Sequence, residues 1–337
     1  MPLSEIRGQD RVVAKLRAAL RGGRLHHAYL VTGAPGVGVP ELAERFAEAL
    51  LCPNDPEGCG VCSACERGRR GLHPDLLRVG LDREGGSKEV KVEAIRALCA
   101  GLQFKASEAG RKVALLMDAD RLSASAQNAL LKTLEEPPPG TVLILACEAE
   151  ERLLPTVRSR CSRLALGPLP EALLVESLTS ATGPRRLDPA VAASVARLAR
   201  GSLSRAESFG SGFRERRERL LAGAIALLRG RGRPEAGLAA VGLAEGFAED
   251  RERAAEAVEV LATFLRDLLA VQGGAAAEYL LAPDKAAVLA ELAGQLSPAE
   301  ALEGLTALRD AALALEGNGG PRLQLEAAAL HLGGLAA

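Results

Sequence analysis

Aromatic side chains are scarce in this sequence, at 2% of the residues, and tryptophan is absent. A protein that holds single-stranded nucleic acid by stacking bases on aromatic rings needs more of them, so this class is disfavoured. A basic excess is lacking too, since 42 Lys and Arg stand against 43 Asp and Glu. Proteins whose main task is to bind phosphate backbones carry such an excess. We therefore expect any contact with nucleic acid to be made as part of a larger assembly.

Long apolar runs are also missing. The first seven residues, Met1 to Arg7, lack the apolar core of a signal peptide. No run elsewhere approaches the length that spans a bilayer. We expect a cytoplasmic protein with no membrane partner. Thiols stay reduced in that compartment, so the seven cysteines favour metal binding over disulfides.

What the sequence does have, 48% hydrophobic and 25% charged residues over a length of 337, is typical of a soluble globular protein with two or three domains. Strand and helix patterns alternate over residues 1–167. In chain order, the clearest are a helix at 12–20, a strand at 27–32, a helix at 41–51, strands at 76–79 and 112–117, a helix at 124–136 and a strand at 141–146. This alternation predicts an α/β domain with a parallel sheet covered on both faces.

The rest of the chain reads as helical. Gly167-Pro168-Leu169-Pro170 marks a boundary, after which residues 168–209 are predicted to form a small helical domain. Residues 210–337 consist largely of helix formers with glycine-bearing breaks, which predicts an all-α bundle. A run of arginines at 214–219 is interpreted as a solvated surface, because acidic residues stand among them.

The glycine-rich turn after the first predicted strand has the spacing of a phosphate-binding loop. Gly33 and Gly38 have four residues between them, and a helix follows. In a working loop the next two residues are a lysine for the terminal phosphates and a Ser or Thr for magnesium. Here they are Val39 and Pro40, which supply neither charge nor metal ligand. Taken alone, this turn fits an ordinary strand-to-helix connection equally well.

A second feature separates these two interpretations. The apolar run at 112–117 ends at Asp118, where ATPases with such loops hold magnesium and often place a second carboxylate. Ala119 stands at the second place, and Asp120, one residue later, is expected to point elsewhere. Asp118 could persist as a metal-binding carboxylate while the catalytic base is lost. The loss of the expected residues both in the loop and in the acidic pair predicts an inactive relative of an ATPase, without functional ATP binding.

Four cysteines have the spacing C-x6-C-x2-C-x2-C: Cys52, Cys59, Cys62 and Cys65. We call them the cysteine cluster. Four thiolates can surround zinc tetrahedrally and leave no position for a catalytic water. They predict a structural zinc site in an insertion, residues 52–70, that has little apolar content of its own. An iron–sulfur cluster, whose cysteines can have similar spacing, is the alternative.

Two further motifs carry a family resemblance. The sequence Ala-Leu-Leu-Lys-Thr-Leu-Glu-Glu-Pro-Pro at 129–138 and Arg-Ser-Arg-Cys at 158–161 strongly resemble bacterial clamp loaders of the AAA+ superfamily. The four-cysteine insertion after the loop helix is similar to that group as well. The motif match covers about residues 6–166, whereas the remainder is similar only in length, helicity and a stretch at 321–326.

Within this family, gamma/tau subunits of DNA polymerase III keep the loop lysine and the acidic pair, whereas delta-prime subunits often lose them. Val39, Pro40 and Ala119 therefore indicate the delta-prime type. The resemblance implies an AAA+ module over 1–167, a lid domain over 168–209 and a collar domain over 210–337. It also implies a ring with three gamma/tau subunits and one delta subunit, which opens the sliding clamp and loads it on primer-template DNA.

The same resemblance implies a role for Arg160. The arginine of the Ser-Arg-Cys motif reaches into the neighbouring subunit's ATP site as an arginine finger, and a guanidinium suits this role because it is always charged. Without the motif, a structural salt bridge would be the simpler interpretation, and Arg158 and Arg163 are fallback candidates.

The sequence departs from the pattern of active relatives at two further places. Ser204 stands where they carry a sensing arginine, with Arg205 one residue later, and Cys147-Glu148 replaces the usual polar sensor.

Two other functions are compatible with parts of this pattern. An ATP-hydrolysing gamma/tau-type subunit would need a lysine at position 39. A zinc-dependent nucleic-acid binding module would bind DNA tightly by itself, which the near-neutral charge disfavours.

Overall fold

The computed structural model describes residues 2–82, 87, 89–180, 186–209, 212–317 and 319–335. It contains two compact units: Met1–Leu174 with Arg200–Arg205, and Val175–Ala199 with Ala206–Ala337. The predicted boundary between residues 209 and 210 falls next to residues 210 and 211, which lie outside the described part. Among the described residues, no helix has both the length and the apolar character needed to cross a membrane.

The first unit is built on a five-stranded, entirely parallel sheet. Its strands are β1 (Ala28–Thr32), β2 (Leu76–Val79), β3 (Lys112–Leu116), β4 (Thr141–Cys147) and β5 (Ser162–Ala165). Their order across the sheet is β2-β3-β4-β1-β5, so β1 lies between β4 and β5. In register, Leu30 pairs with Leu145 on one side and with Arg163 on the other. The predicted parallel α/β domain is confirmed.

Helices cover both faces of this sheet. They are α1 (Asp10–Arg21), α2 (Val39–Leu51), α4 (Val92–Leu102), α5 (Ala124–Glu135) and α6 (Pro155–Arg158), whereas α3 (Ser63–Arg69) lies in the cysteine insertion and contacts α2. Successive strand residues point to opposite faces, so Tyr29 and Val31 join a core with α1 and α2, whereas Ala28 and Leu30 join a second core with α4 and α5. The three inner strands are buried at every position, which explains their near-continuous apolar sequence.

Helix α5 begins where the sequence predicted. The Ser123 side chain accepts a hydrogen bond from the Ala126 amide, which satisfies one of the free amides of the first turn. At the other end the helix stops before Pro137, since the residue before a proline is disfavoured in helical conformation. This helix carries the family motif, and its last residue, Glu135, is exposed.

The second unit is all-α, as predicted. Its helices, together with those of the connecting region, are α7 (Glu171–Ser180), α8 (Pro189–Ala199), α9 (Leu203–Ser208), α10 (Phe213–Arg229), α11 (Glu235–Phe247), α12 (Arg251–Gln272), α13 (Ala286–Ala293), α14 (Pro298–Glu316) and α15 (Pro321–Leu332). Helix α12 carries a fully buried carboxylate, Asp267, which accepts hydrogen bonds from the Leu281 and Ala282 amides. This contact fixes the loop before α13.

The arginine run at 214–219 is a solvated surface only in part: Arg214 and Arg219 are exposed, whereas Arg216 and Arg217 make ion pairs within the bundle. Arg217 is 7% exposed and makes two hydrogen bonds to the Asp284 carboxylate, at 2.9 and 3.0 Å. Burial alone would raise the pKa of Asp284, but Arg217 more than offsets it and lowers that pKa below its ordinary value. Arg216 pairs in the same two-pronged way with Glu256. These two arginines hold helices of the bundle together and are not a free basic patch.

Candidate nucleotide and metal sites

The glycine turn lies at the carboxyl end of β1 and leads into α2, as in phosphate-binding loops. Gly36 and Gly38 have φ angles of 78° and 100°, which glycine adopts without strain, and Gly38 is the N-cap of α2. Val39 is 2% exposed and belongs to the core between the sheet and α2. Pro40 occupies the first helical turn. The two positions that hold lysine and hydroxyl in working loops are thus one buried aliphatic side chain and one ring without an N–H.

A later segment of the same chain lies against this loop. The Leu203 amide donates a hydrogen bond of 2.8 Å to the Gly36 carbonyl. A Cβ added at Gly36 would come within 2.3 Å of the Ser202 hydroxyl and 2.2 Å of the Ser204 hydroxyl. Ser204, the position where the resemblance led us to expect a sensing arginine, lies directly against the turn. The space beside Gly36 is therefore filled by residues 202–204, which we call the covering segment.

Gln9, which the sequence did not single out, holds the loop from the other side. Its side-chain amide donates to the Val37 carbonyl at 3.1 Å and to the Gly167 carbonyl at 2.8 Å, and its oxygen accepts from the Gly167 amide. Gln9 is 6% exposed. Two consecutive carbonyls of the loop, those of Gly36 and Val37, are thus fixed by the protein's own donors.

A cleft of about 600 Å³ opens beside Val39 and Pro40 at the carboxyl edge of the sheet. Its charged lining consists of the carboxylates Glu44, Asp118, Asp120 and Glu148 and the guanidiniums Arg78 and Arg121. Arg78 is paired with Glu44 at 2.5 Å. No lysine lines this cleft among the described residues. Its charge is therefore net negative, which opposes a polyphosphate unless a metal ion accompanies it.

The acidic residues after β3 differ from the expectation in one respect. The strand ends at Leu116, Asp118 adopts a left-handed conformation with φ of 51°, and residues Ala119–Arg121 form a 3-10 turn. Because the chain turns here, the strand alternation used to predict the direction of Asp120 no longer applies, and Asp120 lines the same cleft as Asp118. The expectation that it would point elsewhere was wrong. One oxygen of Asp118 accepts a hydrogen bond from the Leu81 amide, and Ala119 is fully buried.

Cys147 lines the cleft at the end of β4. Burial raises the pKa of its thiol to about 12, so the sulfur remains protonated at neutral pH and adds no charge to the cleft. Burial likewise raises the pKa of Cys161 to about 12. Cys147 belongs to the core between the sheet and helices α4 and α5, and Cys161 packs against it.

The cysteine cluster comes together as predicted. The four sulfur atoms lie within 4.8 Å of one another. The Cys52 and Cys62 sulfurs are 3.9 Å apart, and those of Cys59 and Cys65 are 4.0 Å apart. Four sulfurs at about 2.3 Å from one tetrahedral zinc ion would be about 3.8 Å apart, so the set could hold a single ion. In a multi-iron cluster each iron binds its own cysteines, so the cysteine sulfurs would lie farther apart than they do around a single ion.

Backbone amides support the cluster sulfurs. The Cys59 amide donates to the Cys52 sulfur and the Cys65 amide to the Cys62 sulfur. Hydrogen bonds from the Val61 and Cys62 amides lower the pKa of the Cys59 thiol to about 6, whereas burial raises that of Cys65. Metal binding requires the thiolate form, and these amide donors favour it.

The insertion is anchored to the N-terminal helix. Glu57, whose side chain is 7% exposed, makes ion pairs with Arg17 at 2.7 Å and Arg21 at 2.5 Å on α1. The Glu57 carbonyl accepts from the amide of Leu3, which is fully buried. The loop between the first two cysteines of the cluster is thus part of the packing around α1.

Arg160 lies at the surface just after α6, two residues before β5. One guanidinium nitrogen donates to the Thr156 carbonyl at 2.8 Å, and the other is 2.6 Å from a Glu135 oxygen. The side chain is 34% exposed. The fallback candidate Arg163 makes a two-pronged pair with Glu150. Arg160 is thus close to two acceptors of its own chain and is also open to solvent.

The architecture agrees with the resemblance to AAA+ clamp loaders: a five-stranded parallel sheet, a glycine turn with phosphate-loop spacing after its first strand, and a helical C-terminal region. A family model described as "DNA polymerase III, delta subunit" matches residues 8–170, and one described as "DNA polymerase III, delta subunit, C terminal" matches residues 235–327. Together they match more than half of the chain.

Individual proteins with similar sequences are DNA polymerase III subunits as well. The DNA polymerase III subunit delta-prime of Pseudomonas aeruginosa is 37% identical over 212 residues, which cover 62% of this chain and 64% of that protein. The delta-prime subunit of Escherichia coli is 41% identical over 167 residues, 49% of each chain. The tau/gamma subunit of Haemophilus influenzae is 34% identical over 177 residues, 52% of this chain and 25% of that protein. The chain belongs to the DNA polymerase III delta-prime subunit family.

The matched region spans about half to two thirds of the length of these two delta-prime relatives. The tau/gamma relative matches at similar identity, so identity alone does not assign the chain to one of these two subunit types.

Proposed function

We propose that this chain is a non-hydrolysing subunit of the DNA polymerase III clamp loader, of the delta-prime type. It would help load the sliding clamp on primed DNA and supply Arg160 as an arginine finger to a neighbouring ATPase subunit. One observation carries the proposal: the phosphate loop has no cation of its own and is covered by the chain's own residues 202–204.

The first argument concerns nucleotide binding. A triphosphate needs amide donors and a lysine to balance its charge, but Val39 is buried in the core and the space beside Gly36 holds two serine hydroxyls. The adjoining cleft carries more carboxylates than guanidiniums. Asp118 and Asp120 could hold a magnesium ion, yet without the lysine the phosphates would lack their principal positive contact. We infer that the chain binds ATP too weakly to turn it over.

The second argument concerns Arg160. With no nucleotide of its own to serve, an exposed arginine in the Ser-Arg-Cys motif can act only on a nucleotide bound elsewhere. The guanidinium is always protonated and presents several N–H groups in one plane, which suits a transferring phosphoryl group. The partners would be gamma/tau and delta subunits, and contact with the clamp and primer-template DNA would be made through the complex. The division into an AAA+ module (1–167), lid (168–209) and collar (210–337) belongs to the same proposal, as does a cytoplasmic location.

The cysteine cluster would hold a structural zinc ion. Four sulfurs close the coordination shell, so the ion would have no open position for chemistry. Its contribution would be to order residues 52–70, which in turn position Glu57 against α1.

One observation favours the second candidate, an ATP-hydrolysing gamma/tau-type subunit. Asp120 lies in the same cleft as Asp118, so a carboxylate is available near the place of the catalytic base. This candidate still requires a lysine that the described cleft does not contain, and the covering segment would have to leave Gly36.

Assembly with gamma/tau and delta subunits tests the proposal. Mixed with both, the chain is expected to enter a five-membered ring in one copy, since it cannot replace gamma/tau as the source of ATP hydrolysis. Native mass spectrometry measures the composition. A complex of gamma/tau and delta that forms without taking up this chain would contradict the proposed role, and so would several copies of this chain in one ring.

A further inference from the structure

Arg160 is held between two helices that are themselves tied together. Gln127 of α5 donates to the Arg152 carbonyl at 3.1 Å and accepts from the Leu154 amide at 2.7 Å, just before α6 begins. Gln127 is 4% exposed. The two acceptors of Arg160 come from these same helices: the Glu135 carboxylate ends α5, and the Thr156 carbonyl lies in α6. The acceptors therefore have a fixed separation.

We propose that Glu135 is a positioning residue for Arg160, which holds the guanidinium in the orientation that it needs towards a nucleotide of a neighbouring subunit. This inference rests on the proposed arginine-finger function. An arginine fork has five N–H donors. The contacts to Glu135 and Thr156 each involve one terminal nitrogen and leave other N–H groups for phosphoryl oxygens.

Conformational entropy is the physical reason why a fixed guanidinium would favour the reaction. A free arginine side chain loses rotamer entropy when it is fixed, and a finger that is already oriented loses less of it at the moment of reaction. The hydrogen bond to the Thr156 carbonyl alone would fix only one direction of the guanidinium. The second contact, to Glu135, defines the plane of the guanidinium.

The same pair contributes little to folding. Glu135 is 50% exposed and Arg160 is 34% exposed, and ion pairs that are open to solvent contribute little to stability. Replacement of Glu135 should therefore leave the fold intact, so that a change in ATP turnover reports on orientation. The neighbouring Glu136 is also exposed and offers a matched control for loss of one negative charge.

The experiment uses the complete loader complex, reconstituted with the variant chain, and measures clamp- and DNA-stimulated ATP hydrolysis. Glu135→Ala is expected to show about half or more of the loss of kcat that Arg160→Ala shows, with the KM for ATP within about twofold, as for loss of orientation in the transition state. Glu135→Gln keeps an acceptor oxygen and is expected to retain more than about half of the rate. Glu136→Ala should equal wild type. The double variant Glu135→Ala/Arg160→Ala should be no slower than Arg160→Ala alone, because Glu135 acts only through Arg160.

The outcomes separate the two proposals. If Arg160→Ala is impaired and Glu135→Ala matches wild type, the positioning role is overturned and the arginine finger stands. A Glu135→Ala complex that turns over faster than wild type also overturns it, since the carboxylate would then restrain the finger. Full activity of Arg160→Ala would remove the proposed finger and this inference with it.

Discussion

Replacement of Arg160 by alanine is expected to give a chain that folds and assembles normally but a loader whose clamp- and DNA-stimulated ATP hydrolysis is sharply reduced. An arginine finger contributes about 10³-fold or more at the site that it serves. If three ATPase subunits act independently, silencing one site removes about a third of the total rate. If the sites act in sequence, nearly the whole rate is lost. Steady-state ATP hydrolysis by the reconstituted complex measures this change.

Arg158→Ala is the matched control, because Arg158 lies two residues earlier on the same surface segment and is exposed. Its removal should leave hydrolysis unchanged. The assignment would be contradicted if Arg158→Ala reproduced the loss while Arg160→Ala hydrolysed ATP at the wild-type rate. Thermal unfolding of both variants should match wild type, since Arg160 makes only partly exposed contacts.

Removal of the metal site is expected to have the largest effect on stability. Cys59→Ser with Cys62→Ser leaves two thiolates, too few to close a tetrahedral shell. Purified wild-type protein should contain about one zinc ion per chain and the variant almost none. Disorder of the insertion would release the pairing of Glu57 with Arg17 and Arg21. We expect the cost to be about 2–3 kcal/mol, which corresponds to a decrease in Tm of roughly 5–10 °C.

Cys99→Ser is the control for loss of a thiol outside the cluster, since Cys99 lies on α4 and is not among the clustered sulfurs. It should keep the full metal content. Stoichiometric iron with visible absorbance would rule out zinc. Wild-type protein that contains no metal and has the same Tm as the double variant would contradict a metal site altogether.

Local patterns in the sequence predicted most of the α/β domain. The runs at 27–32, 112–117 and 141–146 are buried on both faces of the sheet, and such strands are recognisable because almost every residue is apolar. Strand β5 escaped prediction because it is short, with only Leu164 of its four residues buried. The cysteine cluster was predictable because three of its four ligands lie within seven residues of chain.

Features that depend on distant parts of the chain could not be predicted. The hydrogen bond between Leu203 and Gly36 and the contacts of Gln9 with Gly167 join segments more than 150 residues apart. No local pattern encodes such a contact. The direction of Asp120 was wrongly predicted because it depends on the turn that follows β3: the strand ends at Leu116, and the 3-10 turn at Ala119–Arg121 places the carboxylate in the cleft.

Turnover of ATP by the purified chain alone tests the account most directly. With Mg²⁺ and ATP, in the absence of other subunits, we predict no hydrolysis above the background given by an Asp118→Asn/Asp120→Asn variant, because nothing at position 39 can bind the phosphates and residues 202–204 lie against Gly36. Hydrolysis that co-purifies with the wild-type chain and disappears in that variant would show a working site in this protein and would contradict the account.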